Sequence, residues 1–450
     1  MAATTWRDRK KALWPLALVM PLLPFAAVAL FSWSGWALWL WLGPIVILGV
    51  VPIIDLVTGE DLSSPPDDVI PELERQRYYR AITYAFIPLQ LAGFVFAFWF
   101  IASGGMSVME RIGLAVTVGF IGGLGINTAH ELGHKKEQVE RWASKVALAQ
   151  SGYGHFYIEH NRGHHVRVAT PQDPASSRLG ESFYAFWPRT VFGSLRSAWG
   201  LERMRLARRG RSPLSLGNDL VNAWAMTLVL WVAMIAWLGV TIVPFLLLQA
   251  FVAITLLEEV NYLEHYGMLR ARVRTGDRER YERVNPTHSW NSNHIATNVL
   301  LYHLQRHSDH HALPARRYQA LRDDRSAPSL PTGYGGMIVL ALVPPLWRRV
   351  MDPRVAAHVG GDLSRANLTP RRQRAMAMST PMAVRADVFT VQAGTGPTWS
   401  CSSCGYRYDE RTGEPREGFD PGTAWASIPE TWCCPDCGVR EKVDFVRVDA

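Results

Sequence analysis

Charged residues disappear from the chain over long stretches. Between Lys11 and Asp55 lie 43 consecutive uncharged positions, and about 20 are enough for one helix across a hydrocarbon core. A soft break at Ser32 to Gly35 divides this run and predicts helices near 12–31 and 36–56. Further uncharged runs cover 81–109, 112–129 and 220–257, the last long enough for two helices that turn back near Gly239. Six membrane spans are therefore expected. Prolines at 15, 21, 24, 44, 52, 88 and 244 fall inside them, a pattern tolerated in lipid, where neighbouring helices satisfy the freed carbonyls. The first run does not read as a cleaved signal peptide, because a second apolar run follows at once with no small-residue cleavage pattern between. The uncharged run 326–347 is interrupted by Pro328, Pro331, Gly333, Gly335, Gly336 and Pro344-Pro345. It predicts an interfacial or re-entrant segment, not a seventh span.

Orientation follows from the basic residues of the connections. Arg7, Arg9, Lys10 and Lys11 precede the first span, and Arg75, Arg77 and Arg80 precede the third. Residues 130–218 carry 14 Lys/Arg against 7 Asp/Glu, whereas 32–35 and 239–242 carry none and 103–111 only Arg111. Both termini are expected on the cytoplasmic side of a bacterial inner membrane.

Composition adds one correction. Of 450 residues, 48% are hydrophobic and 19% charged, below the roughly 25% charge of a soluble domain. The net charge of +8 is unevenly divided: residues 399–450 hold 6 Lys/Arg and 10 Asp/Glu, leaving 41 against 29 in 1–398. The excess positive charge lies on the cytoplasmic loops, where it meets anionic lipid. Nucleic acid is not expected as a partner.

Eight of the 14 histidines form three tight groups: His130 and His134 in HELGH; His160, His164 and His165 in EHNRGHH; His307, His310 and His311 in HSDHH. Residues four apart on a helix share a face, so His130/His134, His160/His164 and His307/His311 are expected to project in pairs. A ninth, His265 in NYLEHYG, stands at the cytoplasmic end of the sixth span, and His130 ends the fourth. All four sites can therefore converge at one depth. Imidazole suits Fe, Zn, Cu or Ni. Nine histidines exceed one ion, and two irons with four or five ligands each fit the count. Glu131, Glu159, Glu264 and Asp309 lie beside these histidines and are expected to accept the second ring N–H and fix its tautomer. HELGH also matches the HExxH of zinc proteases with Glu131 as base, but such a site needs one further ligand, not seven. His155, His288, His294, His303 and His358 read as structural, His303 being the candidate exception because it lies four residues before His307.

HELGHKK, EHNRGHHVRVATPQDPA, NYLEHYG and LQRHSDHH resemble the histidine boxes of the membrane-bound alkane 1-monooxygenases, the non-haem di-iron omega-hydroxylases. The resemblance covers roughly residues 10–365. Fatty acid desaturases and xylene monooxygenases share the chemistry, but desaturases space their first box differently and usually lack the last two strings. Carried over by motif, the resemblance implies iron ligation by His130, His134, His160, His164, His165, His265, His307, His310 and His311. It further implies O2 and an n-alkane as substrates. An alkane offers no handle to acid, base or nucleophile, so metal and O2 must supply the oxidising power while the protein supplies ligation, access and dryness. Ile47, Leu48, Val51 and Ile54 on the second span are candidates for gauging chain length; lipid contact or packing is their other reading.

All five cysteines lie in the tail. Cys401 and Cys404 form one CxxC, Cys434 and Cys437 a second, spacing that makes a tetrahedral thiolate site for Zn or one Fe. The string CSSCGYRYDERTGEPREGFDPGTAWASIPETWCCPDCG is similar to rubredoxin, which implies Fe(Cys)4 and transfer of one electron at a time. Cys433 departs from that pattern, which usually has an apolar residue there. Tyr406, Tyr408, Phe419, Trp425 and Trp432 would pack the core of a domain too small to fold without its metal.

The fold expected is thus an all-α six-helix transmembrane bundle (1–365) with a cytoplasmic histidine site, a flexible linker (366–398) and a small metal-stapled β domain (399–450). Two electrons per turnover require that the tail be reloaded, and the resemblance implies a flavin-dependent NADH:rubredoxin reductase. The alternatives are a related histidine-box oxidase, either a fatty acid desaturase or an aromatic side-chain hydroxylase, or a non-catalytic membrane metal-binding or redox-sensing protein.

Overall fold

Four apolar helices open the chain: α1 (Trp14–Ser34), α2 (Ala37–Thr58), α3 (Arg77–Ala102) and α4 (Val108–Gly133). After the short α5 (Gln138–Ala149) and the long α6 (Phe183–Arg208), two more follow, α7 (Asp219–Leu238) and α8 (Val240–Glu264). These six spans match the expected number, and the protein is a multi-pass membrane protein. The computed structural model describes residues 6–275, 278–379, 389–390, 398–402, 406–414, 419–430, 432, 434–435 and 440–448.

Turn chemistry sets the hairpins. Gly35 takes a left-handed conformation and closes α1 on the Phe31 carbonyl, a conformation costly for residues with a Cβ. A capping box between Ser107 and Glu110 opens α4. Exposed Trp33 and Trp36 lie at the α1–α2 turn and Trp237 at the α7–α8 turn, suiting the membrane–water interface.

α4 is the central helix, and its string VGFIGGLGIN explains why. A Cβ on Gly119 would stand 2.6 Å from Val252, and one on Gly123 2.7 Å from Leu256. Glycine lets α4 and α8 pack backbone to backbone, as small residues do in lipid. The two helices thereby bring His130 and His265 to one end of the bundle. Deeper in, Gln90 donates to Gln150 (3.0 Å) and Gln150 to Gln249 (3.3 Å), satisfying polar groups that water cannot reach.

Beyond α8 come a hairpin of β1 (Arg272–Thr275) and β2 (Arg278–Tyr281), then α9 (Ile295–Leu300), α10 (His307–Ala312), α11 (Tyr334–Ala341), α12 (Pro344–His358) and α13 (Pro370–Ser379). The hairpin, joined in parallel by β3 (Phe389–Thr390), is an addition to the all-α expectation. α11 has 8 residues, about 12 Å of helix, too short to cross; it buries Tyr334, Met337 and Ile338 in the largest core cluster, which also holds Ile47 of α2 and Val260 of α8.

The expected linker begins later than residue 366. Ala366, Asn367 and Leu368 are buried, Leu179 N–H donates to the Asn367 carbonyl (2.7 Å) and Asn367 N–H to the Gly267 carbonyl (3.0 Å). Arg372 of α13 pairs with Asp352 at 2.8 Å. Ordered contacts therefore continue past residue 365, because the DLSRANL stretch finds backbone partners at Leu179 and Gly267; most of 380–397 lies outside the described residues.

In the tail, β4 (Thr398–Cys401), β5 (Arg407–Asp409) and β6 (Phe445–Val448) form an antiparallel sheet in the order β5-β4-β6. Its core is aromatic. Tyr408, Ile428 and Trp432 are buried against Trp399, Tyr406, Phe419, Trp425 and Phe445, and Trp399 stacks on Trp425 with ring centres 5.1 Å apart.

Candidate metal centre

The nine box histidines are all buried, and they gather into two groups: His130, His134, His160, His165 and His310 in one, His164, His265, His307 and His311 in the other. In the first, His130 Nε2 lies 2.8 Å from His310 Nε2, His310 Nε2 3.2 Å from His165 Nε2, and His165 Nε2 3.1 Å from His160 Nε2. In the second, His307 Nε2 lies 3.1 Å from His265 Nε2 and 2.9 Å from His311 Nε2. The groups adjoin, with the His165 and His311 rings 4.3 Å apart.

The second box does not split as helical spacing predicts. Residues 159–164 form a π turn, one residue wider than an α turn and frequent at functional sites. His160 consequently shares a group with His165, five residues on, and His164 goes to the other. Gly163 leaves room for the Glu159 carboxyl, which stands where a Cβ would be.

Do these donors suit a metal? Two nitrogens each about 2.05 Å from one ion, at right angles, stand about 2.9 Å apart, the spacing found within both groups. Burial lowers the pKa of His160, His307, His310 and His311 well below the ordinary value, reinforced by neighbouring histidines, so the rings are neutral, the ligating form. His164 carries the clearest sign. Its Nδ1 lies 2.9 Å from Asp173 Oδ2, while its Nε2 is buried with no hydrogen-bond partner among the described residues, leaving that lone pair open to an ion. The residues fit.

The supporting carboxylates differ from those expected. Glu264 does meet a ring, its Oε1 lying 3.2 Å from His307 Nδ1 and accepting from Tyr334 OH (2.9 Å). Glu131 instead accepts from Lys135 Nζ (2.9 Å) and Tyr318 N–H (3.2 Å), Glu159 from Arg167 (2.6 Å), and Asp309 from Arg316 (2.8 Å). A residue next to a ligand on a helix points about 100° away from it, so adjacency in sequence is a poor guide to contact. Asp173, nine residues past His164, is the acid that sequence reasoning missed; only its place in the ATPQDPA string hinted at it. Burial would raise its pKa, but the His164 contact and the bonds from His164 and Ser176 hold it below the usual carboxylate range. Glu159 goes the other way, pushed up to about 8 by burial.

His155, His288, His294, His303 and His358 belong to neither group. His303 Nδ1 meets the Tyr318 carbonyl at 2.8 Å, and its ring packs edge-on against Trp14. HELGH is not laid out as a protease site, since His130 and His134 sit with three further histidines and Glu131 is held by Lys135.

An apolar cavity lies within the bundle, walled by Met20, Ile47, Val51, Leu124, Leu256, Val260, Leu300 and Ile338. Asn127, Leu301 and Leu304 line both this cavity and a smaller pocket that contains His130, Glu131 and His310. Of the four span-two candidates, Ile47 and Val51 face the cavity; Leu48 packs on the core and Ile54 is 41% exposed.

Residues 111–341 match the fatty acid desaturase family model, and 398–445 match rubredoxin. The chain is 46% identical over 363 residues to alkane 1-monooxygenase 1 of Alcanivorax borkumensis, covering 81% of this chain and 89% of that protein. It is 45% identical over 367 residues to the alkane 1-monooxygenase of Pseudomonas putida, covering 82% and 90%. The chain belongs to the alkane 1-monooxygenase family. Similarity to the xylene/toluene monooxygenase hydroxylase component of Pseudomonas putida is lower, 24% over 340 residues, 73% of this chain and 85% of that one. In this alkane 1-monooxygenase homologue the catalytic domain is continuous with a C-terminal rubredoxin domain, whose Cys401 and Cys434 are buried together beside Tyr406 and Phe445. Cys404, Cys433 and Cys437 lie outside the described residues.

The rubredoxin domain touches the membrane domain at the second histidine box. Arg209 pairs with Glu441, and Arg208 with Asp444 at 3.3 Å. The Arg440 guanidinium donates to the Arg162 carbonyl (3.0 Å), and the Arg440 carbonyl accepts from Cys434 N–H (2.7 Å). Arg162 is two residues from both His160 and His164.

Proposed function

We propose that this chain hydroxylates the terminal methyl of medium- and long-chain n-alkanes to 1-alkanols with O2, using electrons relayed through its own rubredoxin domain to a di-iron site. The observation that carries the reading is an apolar cavity that shares Asn127, Leu301 and Leu304 with a pocket holding His130 and His310, members of one of two adjoining buried all-histidine groups. The five-histidine group would hold one iron and the four-histidine group the other; Cys401, Cys404, Cys434 and Cys437 would hold a third as Fe(Cys)4. Bound iron supplies, with O2, the oxidising power to break a strong C–H bond.

The protein's own residues do the rest. Asp173 orients His164 and fixes which of its ring nitrogens is bare, and the Glu264 carboxyl faces His307 Nδ1 at 3.2 Å. The cavity walls strip water from the alkane and hold it extended, chain end toward the narrow passage at Asn127, Leu301 and Leu304. Alkane dissolves in the bilayer and enters from there. Electrons reach the box through the short path from Cys434 by Arg440 to Arg162. Tethering raises the donor's effective concentration toward the mM range, and the acidic tail meets the basic cytoplasmic face through Arg208 and Arg209. Reloading calls for a flavin-dependent NADH:rubredoxin reductase. By the distribution of Lys and Arg, both termini and both metal sites face the cytoplasm.

Purified protein with NADH, reductase and a ladder of alkanes, analysed by gas chromatography, should yield 1-alkanols. Alkenes, or benzylic alcohols from alkylbenzenes alone, would overturn the assignment, as would stoichiometric zinc in the membrane domain where two irons are expected. If the chain truncated after residue 390 keeps full rate with no added rubredoxin, the tail is not the electron donor.

A further inference from the structure

Two kinds of cavity reach the histidine groups, and one of them is polar. It is small, with room for about one water, is walled by Tyr153, His155, Glu159, Glu258 and Asn261, and opens on the rings of His160 and His164. Its walls carry buried polar atoms with no hydrogen-bond partner among the described residues: Glu159 Oε2 and His155 Nε2, on residues only 3% and 5% exposed. Buried polar atoms in native proteins almost always find a partner, and a polar void beside them is a place for ordered water.

Glu258 closes the chamber on the membrane side. It stands on α8 seven residues before His265, about 10 Å deeper in the bundle. Its carboxyl accepts from Tyr153 OH (2.6 Å), Thr190 OH (2.8 Å) and Asn261 Nδ2 (3.1 Å). It orients no histidine, a role Asp173 and Glu264 fill, and its bonding partners are all neutral. An acidic side chain inside a span is costly and marks a functional position by default.

We propose that Glu258, with Tyr153 and water in this chamber, delivers the protons consumed when dioxygen is reduced. The inference rests on the hydroxylase reading, whose balance is RH + O2 + 2 electrons + 2 H⁺ giving ROH + H2O. One oxygen atom enters the alcohol; the other leaves as water carrying both protons; the tail supplies both electrons, one at a time. Glu258 gives a proton to chamber water on the His160 and His164 side and takes one back through Tyr153, whose OH donates to it at 2.6 Å. Protons thus arrive on the polar side while the alkane cavity stays dry.

The test is Glu258→Gln, with Glu258→Asp and Tyr153→Phe beside it. Glu258→Gln should lower coupled turnover about tenfold or more, raise the solvent deuterium isotope effect and divert electrons to hydrogen peroxide, with partial recovery in Glu258→Asp. In the resting, iron-loaded protein, an infrared carboxyl band absent from Glu258→Gln should shift promptly on transfer to D2O, and Tyr153→Phe should move it. Wild-type rate, isotope effect and peroxide yield in Glu258→Gln, or a carboxyl band that does not exchange, would overturn the proposal. If wild type makes no 1-alkanol, the hydroxylase reading has failed instead, and the infrared exchange still judges the chamber.

Discussion

Replacing Ile47 with tryptophan should shorten the longest alkane the protein accepts. Ile47 is 8% exposed and lines the apolar cavity, eleven residues before the end of α2 at Thr58, about 16 Å along the helix from its histidine-side end. An indole there occupies space at the far end of an extended chain and leaves the passage at Asn127 untouched. Each methylene denied burial costs about 0.8 kcal/mol, about fourfold in kcat/KM. A tryptophan that excludes three methylenes therefore costs about 2.4 kcal/mol, roughly 60-fold, for long alkanes only. Overpacking itself costs about 1–3 kcal/mol of stability, which lowers the amount of folded enzyme equally for every substrate. The assay is the ratio of kcat/KM across an alkane ladder, read by gas chromatography, since a ratio is blind to enzyme amount. A uniform fall, with the chain-length profile unchanged, would show that Ile47 is a packing residue and not a wall of the substrate site.

Asp173→Asn should weaken iron binding about 10- to 100-fold, seen by metal analysis after dialysis against a graded chelator; full retention would remove Asp173 from the site. Reversing Arg208 and Arg209 to glutamate should slow reduction of the membrane site by the tail in stopped-flow absorbance, and pairing that variant with Glu441→Arg and Asp444→Arg should restore it. Wild-type reduction that does not slow as salt rises would refute electrostatic docking. Burial lowers the His155 pKa to about 4, so between pH 6.5 and 4 the unfolded chain takes up a proton that the folded one refuses. Native stability should fall with pH across that window by about 1.4 kcal/mol per unit from this residue, and thermal inactivation in detergent should show a shallower acid dependence for His155→Gln than for wild type.

Much of the architecture was legible because its causes are local. A hydrocarbon core tolerates no unpaired charge, so uncharged runs near 20 residues mark the spans, and tight histidine clusters are rare enough to mark a metal site. Other features were not legible. Which histidine belongs with which depends on a π turn that periodicity does not encode. Glu131, Glu159 and Asp309 were read as ring partners because they adjoin ligands, yet helical geometry turns them toward Lys135, Arg167 and Arg316. The stretch from 366 reads as linker because it is rich in Ala, Thr, Met, Gly and Gln and ends in AGTGPT, but Asn367 bonds to Leu179 and Gly267 and Leu368 is buried.

By itself the sequence determined the number of spans, the residues that can ligate metal and the presence of an acidic tail with paired CxxC knuckles, because each depends on composition within one short window. Only the tertiary structure decided the rest. It divided nine histidines into five and four, gave Asp173 to His164, set Ile47 and Val51 on a cavity while leaving Ile54 exposed, and placed Arg440 against Arg162. Each of these depends on how separate segments meet in space, and the closest of those meetings, α4 on α8, rests on the α4 glycines Gly119 and Gly123 standing against Val252 and Leu256.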